Sequence, residues 1–77
     1  MTKYEKIKYM AKDCNWNFKE NYSGRGMYGK TCVGVVVPNA DECIEEAASR
    51  GIRGAMVDNM GLNYIVYWPS IQAPKEG

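Results

Sequence analysis

The chain has 77 residues, a formal net charge of +1, three cysteines and no histidine. This length allows one small domain, which buries only about 60% of the surface that its unfolded chain exposes. Structural zinc needs four cysteine or histidine ligands at short spacings, which this composition does not supply. We therefore expect no metal and no cofactor, and a marginal core that favours a homodimer.

The sequence has no apolar stretch of membrane-spanning length and no charged-then-apolar leader. We expect a soluble, cytoplasmic protein with reduced thiols; a Cys14–Cys32 disulfide is the alternative if these residues lie on neighbouring strands. Residues 1–31 carry seven Lys or Arg against three Asp or Glu, a net +4, whereas residues 32–77 carry a net −3. The two halves present opposite fields if they fold onto different faces.

Residues 2–12 have the pattern of a short helix. Thr2 and Glu5 fit the capping box S/T-x-x-E, in which each side chain satisfies the other residue's backbone N–H. Apolar side chains then recur at helical spacing, at Tyr4, Ile7, Met10 and Ala11. The alternative is a strand with alternate apolar residues on one face.

Two strands are predicted in the first half of the chain. Residues 15–22 alternate polar and apolar, with Trp16 and Phe18 facing the core together. Residues 31–37 form an apolar, β-branched run that predicts a central strand. Gly34 within it indicates a bulge or a close backbone approach.

The clearest predicted element is a helix over residues 39–50. Asn39 can cap its start, Gly51 provides a left-handed cap at its end, and Ile52 can fold back onto it. Its apolar stripe consists of Ala40, Cys43, Ile44, Ala47 and Ala48.

Residues 53–58 and 63–68 read as two further strands, joined by a turn at 59–62. The last strand has large apolar residues on both faces: Tyr64, Val66 and Trp68 on one, Ile65 and Tyr67 on the other. A single helix covers only one face. An aromatic face left exposed would be an association surface.

The order α-β-β-α-β-β predicts an α+β fold. We expect a four-stranded, mostly antiparallel sheet with the 39–50 helix packed on one face, together with a short N-terminal helix. Residues 1–69 would form a single small domain and 70–77 a loose C-terminal tail. The opposite face of the sheet must be solvated, covered by residues 2–12 or buried against a partner.

Residues 24–31 match the phosphate-binding pattern G-x-x-x-x-G-K-[ST]. A P-loop requires its Lys-Thr end to open a helix, whose N-terminus faces the phosphate. Here the pattern runs into the valine-rich segment 31–37, which favours a strand. We therefore expect a hairpin flank at this position, with nucleotide binding as a minor alternative.

The glycine-rich loop after residue 22 combines tyrosines, a methionine and cations. Its candidate partner-binding residues are Tyr22, Arg25, Met27, Tyr28 and Lys30. This mixture suits protein recognition, and it also suits nucleic acid, because Arg contacts phosphate while rings stack on bases. The structural alternative is a hairpin loop whose aromatics pack onto the sheet.

An acidic cluster opens the 39–50 helix and consists of Asp41, Glu42, Glu45 and Glu46. The helix dipole favours acids there, so a solvated helix start is the simplest interpretation. The functional alternative is a partner-binding surface that mimics a phosphate track and occupies a basic groove. Catalysis is not expected, because these carboxylates lack an apolar pocket. A thiol nucleophile is not favoured either, since Cys43 lies on the buried stripe and Cys32 lies in a strand without a nearby base.

The runs NYSGRGMYGKTC at 21–32, EEAASRG at 45–51, and MGL and YWP within 60–69 resemble short uncharacterised proteins of phage and prophage genomes. Several families of such proteins inhibit host defence, anti-CRISPR proteins among them. The resemblance implies a stoichiometric binder without catalysis, working in the cytoplasm of an infected or lysogenic bacterium. It transfers no functional residue.

We therefore expect a non-enzymatic protein that binds and inhibits a host protein or ribonucleoprotein complex. The alternative is a small nucleic-acid-binding protein that uses the basic N-terminal half and the glycine-rich loop.

Overall fold

The computed structural model describes residues 1–24 and 28–74. Its elements follow in the predicted order: α1 (Lys3–Asp13), β1 (Asn17–Tyr22), β2 (Cys32–Val37), α2 (Ala40–Ser49), β3 (Met56–Asn59) and β4 (Tyr64–Trp68). The strands form one antiparallel sheet in the order β1-β2-β4-β3. The predicted α+β fold is confirmed. Neither helix combines the length and apolar character needed to cross a bilayer.

β2 is a central strand, as its apolar run predicts. It pairs antiparallel with β1 on one side and β4 on the other, and five of its six residues are buried. Lys30 and Thr31 therefore lead into a strand and do not open a helix. The helix N-terminus that a P-loop needs is not formed at this position.

Local hydrogen bonds fix both ends of α1. The predicted capping box is present between Thr2 and Glu5. At the other end Asn15 adopts a positive φ of 58°, and the Trp16 N–H donates to the Ala11 carbonyl at 2.8 Å, as in a Schellman motif. Asn15 therefore belongs to the helix cap, and β1 begins two residues later than predicted.

α2 has the predicted caps. The Asn39 side chain accepts a hydrogen bond from the first turn, and Gly51 has a φ of 80°. The Ile52 N–H donates to the Ala47 carbonyl at 2.9 Å, and its side chain is buried. Ala48, predicted in the apolar stripe, is exposed instead. It lies about 100° around the helix from Ala47, on the side turned away from the sheet.

Both helices pack on the same face of the sheet. The core on this face contains Ile7, Met10 and Ala11 of α1, Cys43 and Ala47 of α2, and Val33, Val35, Val37, Val66 and Trp68 of the strands. The helix formed by residues 2–12 therefore shares one face of the sheet with α2. It does not cover the opposite face, which was one of the three expected alternatives. Trp68 Nε1 has no hydrogen-bond partner among residues 1–24 and 28–74, at a cost of about 1–3 kcal/mol that burial of the ring must offset.

The opposite face carries a smaller cluster of Cys32, Ile65 and Tyr67, flanked by Tyr22 and Val36. The alternation predicted for β4 is confirmed, because Val66 and Trp68 belong to the helix-side core and Ile65 and Tyr67 to this cluster. We call this side of the sheet the open face.

The second half of the chain differs from the prediction at two places. β3 begins at Met56, after the left-handed Gly54 with a φ of 85°, which interrupts an extended segment. Ile71, in the expected loose tail, is buried; its N–H donates to the Trp68 carbonyl and its carbonyl accepts from the Val33 N–H, both at 2.9 Å. The tail expectation is corrected here: its start docks, because Ile71 completes the core.

Candidate functional site

The glycine-rich loop presents one tyrosine fully to solvent. Tyr28 is 97% exposed and has a φ of 51°, and Gly29 follows with a φ of 84°. A left-handed tyrosine is strained by roughly 1–3 kcal/mol. Lys30 beside it is also exposed. Arg25 and Met27, the other two predicted contact residues of the loop, lie outside the described residues.

Tyr22, by contrast, points inward over the open face. Its ring lies 5.1 Å from that of Tyr67, centroid to centroid, and its hydroxyl donates to Asp58 Oδ2 at 3.3 Å. Burial, followed by the Asp58 carboxylate, raises the pKa of the Tyr22 hydroxyl. Gly24 closes this arrangement, since a Cβ there would lie 3.1 Å from the Tyr67 ring. Tyr22 therefore anchors the base of the loop.

Replacing Tyr22 with phenylalanine tests this anchoring role. The change keeps the ring on Tyr67 and removes the hydrogen bond to Asp58, so we expect a loss of about 0.5–1.5 kcal/mol of unfolding free energy. The Asp58→Asn variant and the double variant complete a thermodynamic cycle, measured by urea denaturation at neutral pH. Fully additive losses would show that the two side chains are not coupled.

The four acids of α2 fall into two pairs. Asp41 and Glu45 are four residues apart and lie on one side of the helix. Glu42 and Glu46 are also four residues apart and lie on the neighbouring side. Glu46 accepts from Arg50 Nε at 3.0 Å, and Arg50 also contacts Asp13 at the end of α1 at 3.5 Å. Glu46 is thus engaged in an ion-pair network. The other three acids are exposed.

The loop and the acidic cluster do not form one surface. The loop comes immediately before the first residue of β2, whereas α2 starts three residues after the last residue of β2. A strand of six residues separates these points by about 17–20 Å. Tyr28 and Lys30 therefore lie at one end of the sheet, and Asp41 and its neighbours at the other.

The structure also reveals a surface that the sequence interpretation missed. The β3–β4 hairpin projects beside the start of α2 with five apolar side chains exposed. Met56 lies opposite Tyr67 on the open face. We call the other four the hairpin surface: Val57 (43%), Met60 (51%), Leu62 (97%) and Tyr64 (38%). Two of them, Val57 and Tyr64, line a groove with Asp41 and the first residues of α2. The sequence does contain a signal for this surface. Met60 and Leu62 are large and apolar, and they flank Gly61 in a turn that has no charged residue.

β3 is an edge strand, and its register fixes which backbone groups face solvent. The Met60 N–H donates to the Asn63 carbonyl at 2.9 Å, and hydrogen-bonded pairs alternate along the ladder from there. Asp58 therefore pairs inward with β4, while Val57 and Asn59 direct their N–H and C=O groups away from it. Another chain can extend the sheet at this edge.

Cys14 and Cys43 are free thiols, so the alternative Cys14–Cys32 disulfide is not formed, and Cys32 is buried in the sheet. Burial raises the pKa of the Cys43 thiol to about 12, and burial also raises those of Cys14 and Cys32. All three thiols therefore stay protonated at neutral pH, and a protonated thiol is not a nucleophile.

No family model, curated protein or solved structure matches this chain. Inference about function therefore rests on the residues and their geometry.

Proposed function

We propose that this chain is a non-enzymatic, phage-type protein that binds a host macromolecular complex and inhibits it, a CRISPR complex or another defence complex being the target class. The observation that carries the proposal is the hairpin surface. The resemblance to phage proteins contributes the class of target.

The hairpin surface carries two residue types, Met and Tyr, that are enriched at protein interfaces. Burying a Val, Leu or Met side chain contributes about 1.5–3 kcal/mol, so covering this surface would favour association. Leu62 and Met60 sit at the tip of the hairpin, where they lose solvent exposure only if another molecule covers them. In the monomer Leu62, which is 97% exposed, gains almost no folding energy from burial, and Met60, which is 51% exposed, gains only part of what full burial would give.

The charge beside the hairpin surface indicates the chemistry of the partner. Asp41 lines the groove that Val57 and Tyr64 share with α2, and Glu45 follows it one turn later on the same side of the helix. Basic side chains around an apolar centre would complement this surface. Proteins that hold nucleic acid carry such basic surfaces, and occupying one would block substrate access.

Two equally exposed residues at opposite ends of the sheet test the proposal. We expect Leu62→Asp to reduce capture of the partner from a bacterial host lysate by tenfold or more, because a charge would be buried at the centre of the interface. Tyr28→Asp is the matched control, since both residues are 97% exposed. It should leave capture unchanged, and the fold of both variants is checked by thermal melting.

The opposite result, loss with Tyr28→Asp alone, would move the interface to the glycine-rich loop. Light scattering on the purified variants separates partner binding from self-association. A wild-type dimer that Leu62→Asp dissociates would assign the hairpin surface to a second copy.

The inhibitory role is tested by phage plating. In a bacterium with active CRISPR interference, expression of the chain should restore plaques of a targeted phage, and the Leu62→Asp variant should not. Absence of both capture and restored plating in hosts of different defence types would contradict the proposal.

A further inference from the structure

A second groove lies between α1 and β1, on the helix-covered side of the molecule. It measures about 410 Å³ and is lined by Lys8, Tyr9, Ala11, Lys12, Trp16 and Phe18. The Schellman turn at Asn15 creates it by reversing the chain, so that the end of α1 and the start of β1 form its two walls.

Aromatic rings dominate these walls. Tyr9 is 46% exposed, Trp16 and Phe18 are half-buried, and the buried Ala11 forms the floor. Phe18 is held by an edge contact with Tyr4, at 5.8 Å between ring centroids. Trp16 and Phe18 pack against the helix-side core and are therefore already positioned, so little conformational entropy is lost when a planar group stacks on them.

Both charged residues of the groove are lysines. Lys8 and Lys12 are four residues apart on α1 and exposed, and none of the described residues that line the groove is a carboxylate. Among residues 1–24 and 28–74, the ion pairs are those of Arg50, so neither lysine is engaged in one. Glu5 lies one turn before Lys8 and is hydrogen-bonded to Thr2 in the capping box; these hydrogen bonds and, to a smaller extent, the charge of Lys8 lower the pKa of its carboxyl.

We propose that this groove binds single-stranded nucleic acid. Bases stack on the rings of Tyr9 and Trp16, and the two lysines contact phosphates. The lysines are separated by about 6 Å along the helix axis, which is comparable with the spacing of successive phosphates in an extended single strand. Stacking on aromatic rings beside cations is the usual arrangement in single-strand binders.

An acidic peptide is the other ligand that two lysines would attract. The groove favours nucleic acid because three of its four uncharged lining residues are aromatic, and every base offers a planar face to each ring. This site is independent of the hairpin surface. The two would act together on a nucleoprotein target, with protein contacts at one and the strand at the other.

Anisotropy of a labelled single-stranded oligothymidylate provides the test. We expect binding at low salt that weakens as salt rises, with a log–log slope smaller by about 1.4 in the Lys8→Ala/Lys12→Ala variant, about 0.7 for each lost phosphate contact. Tyr9→Ala should weaken binding by about tenfold or more, because one base loses its stacking partner. Oligonucleotide binding should also quench the fluorescence of Trp16 but not that of the buried Trp68.

The matched control is Lys3→Ala/Lys6→Ala, which makes the same charge change on the same helix outside the groove. Equal weakening by both double variants would overturn the site, since binding would then follow net charge alone. Absence of binding at low salt would overturn it as well. Binding of an acidic Glu-Tyr copolymer without binding of the oligonucleotide would assign the groove to a peptide. None of these outcomes depends on the hairpin surface.

Discussion

Cys43→Ala is expected to make the protein less stable at neutral pH but more stable in alkali. Burial raises the pKa of the Cys43 thiol from 9.0 to about 12. Above pH 9 the unfolded chain therefore releases a proton that the folded chain keeps, and stability falls by about 1.4 kcal/mol per pH unit. By pH 12 the loss reaches roughly 4 kcal/mol, a large part of the stability of a small domain.

The alanine variant does not have this alkaline loss. At neutral pH it is destabilised by about 1 kcal/mol, because a buried sulfur is replaced by a small cavity. The stability curves of the two proteins should therefore cross about one unit above the ordinary thiol pKa. Urea denaturation in reducing buffer across this pH range measures the crossing.

The control is Cys14→Ala, the same substitution at a thiol that is only partly buried. The pKa of Cys14 is also raised, chiefly by burial. Because this thiol is less buried, we expect Cys14→Ala to reduce the loss of stability in alkali less than Cys43→Ala does. Some slope remains in every variant, because the pKa of Tyr22 is raised as well. If the unfolding free energies of wild type and Cys43→Ala changed with pH in parallel, the Cys43 thiol would ionise as readily in the folded protein as in the unfolded chain.

Local signals in the sequence predicted much of the fold. Asn39 and Gly51 bound α2 through hydrogen bonds within a few residues, so their effect does not depend on the rest of the molecule. The alternation in β4 likewise assigned Ile65 and Tyr67 to one face before their neighbours were known.

Features that depend on distant contacts were not predictable in this way. The side of the sheet that α1 covers is decided by packing between the helices, where Met10 and Cys43 share one core. Ile71 docks because space is left beside Val33 and Trp68, which local sequence does not indicate. Asn15 differs from these two cases, because asparagine tolerates left-handed backbone and is therefore a local signal for the end of α1.

The candidate site shows the same division. Sequence indicated the exposed Tyr28 and the acids of α2, but not that the length of β2 holds them at opposite ends of the sheet. The hairpin surface became visible only when the register of β4 placed Tyr64 beside Asp41. Short-range sequence patterns therefore indicate which residues are exposed, whereas strand register decides which exposed residues form one continuous surface.

Gly34→Val should destabilise the protein by about 1–3 kcal/mol, because the open face has no room for a side chain at this position. A Cβ on Gly34 would lie 3.1 Å from Ile65 Cδ1 and 3.3 Å from Tyr67 Cβ. These contacts are already tight, and valine adds two methyl groups beyond that Cβ. For a domain of this size the melting temperature should fall by about 4–8 °C per kcal/mol.

A second substitution separates crowding from a backbone effect. Ile65→Val removes Cδ1, the nearest atom to the added Cβ. The double variant Gly34→Val/Ile65→Val should therefore lose less unfolding free energy than the two single variants lose in sum. Coupling of about 0.5 kcal/mol or more is expected for residues in direct contact. Additive losses would mean that valine disturbs the strand itself, and the close approach of Ile65 would then not explain why β2 carries a glycine at its centre.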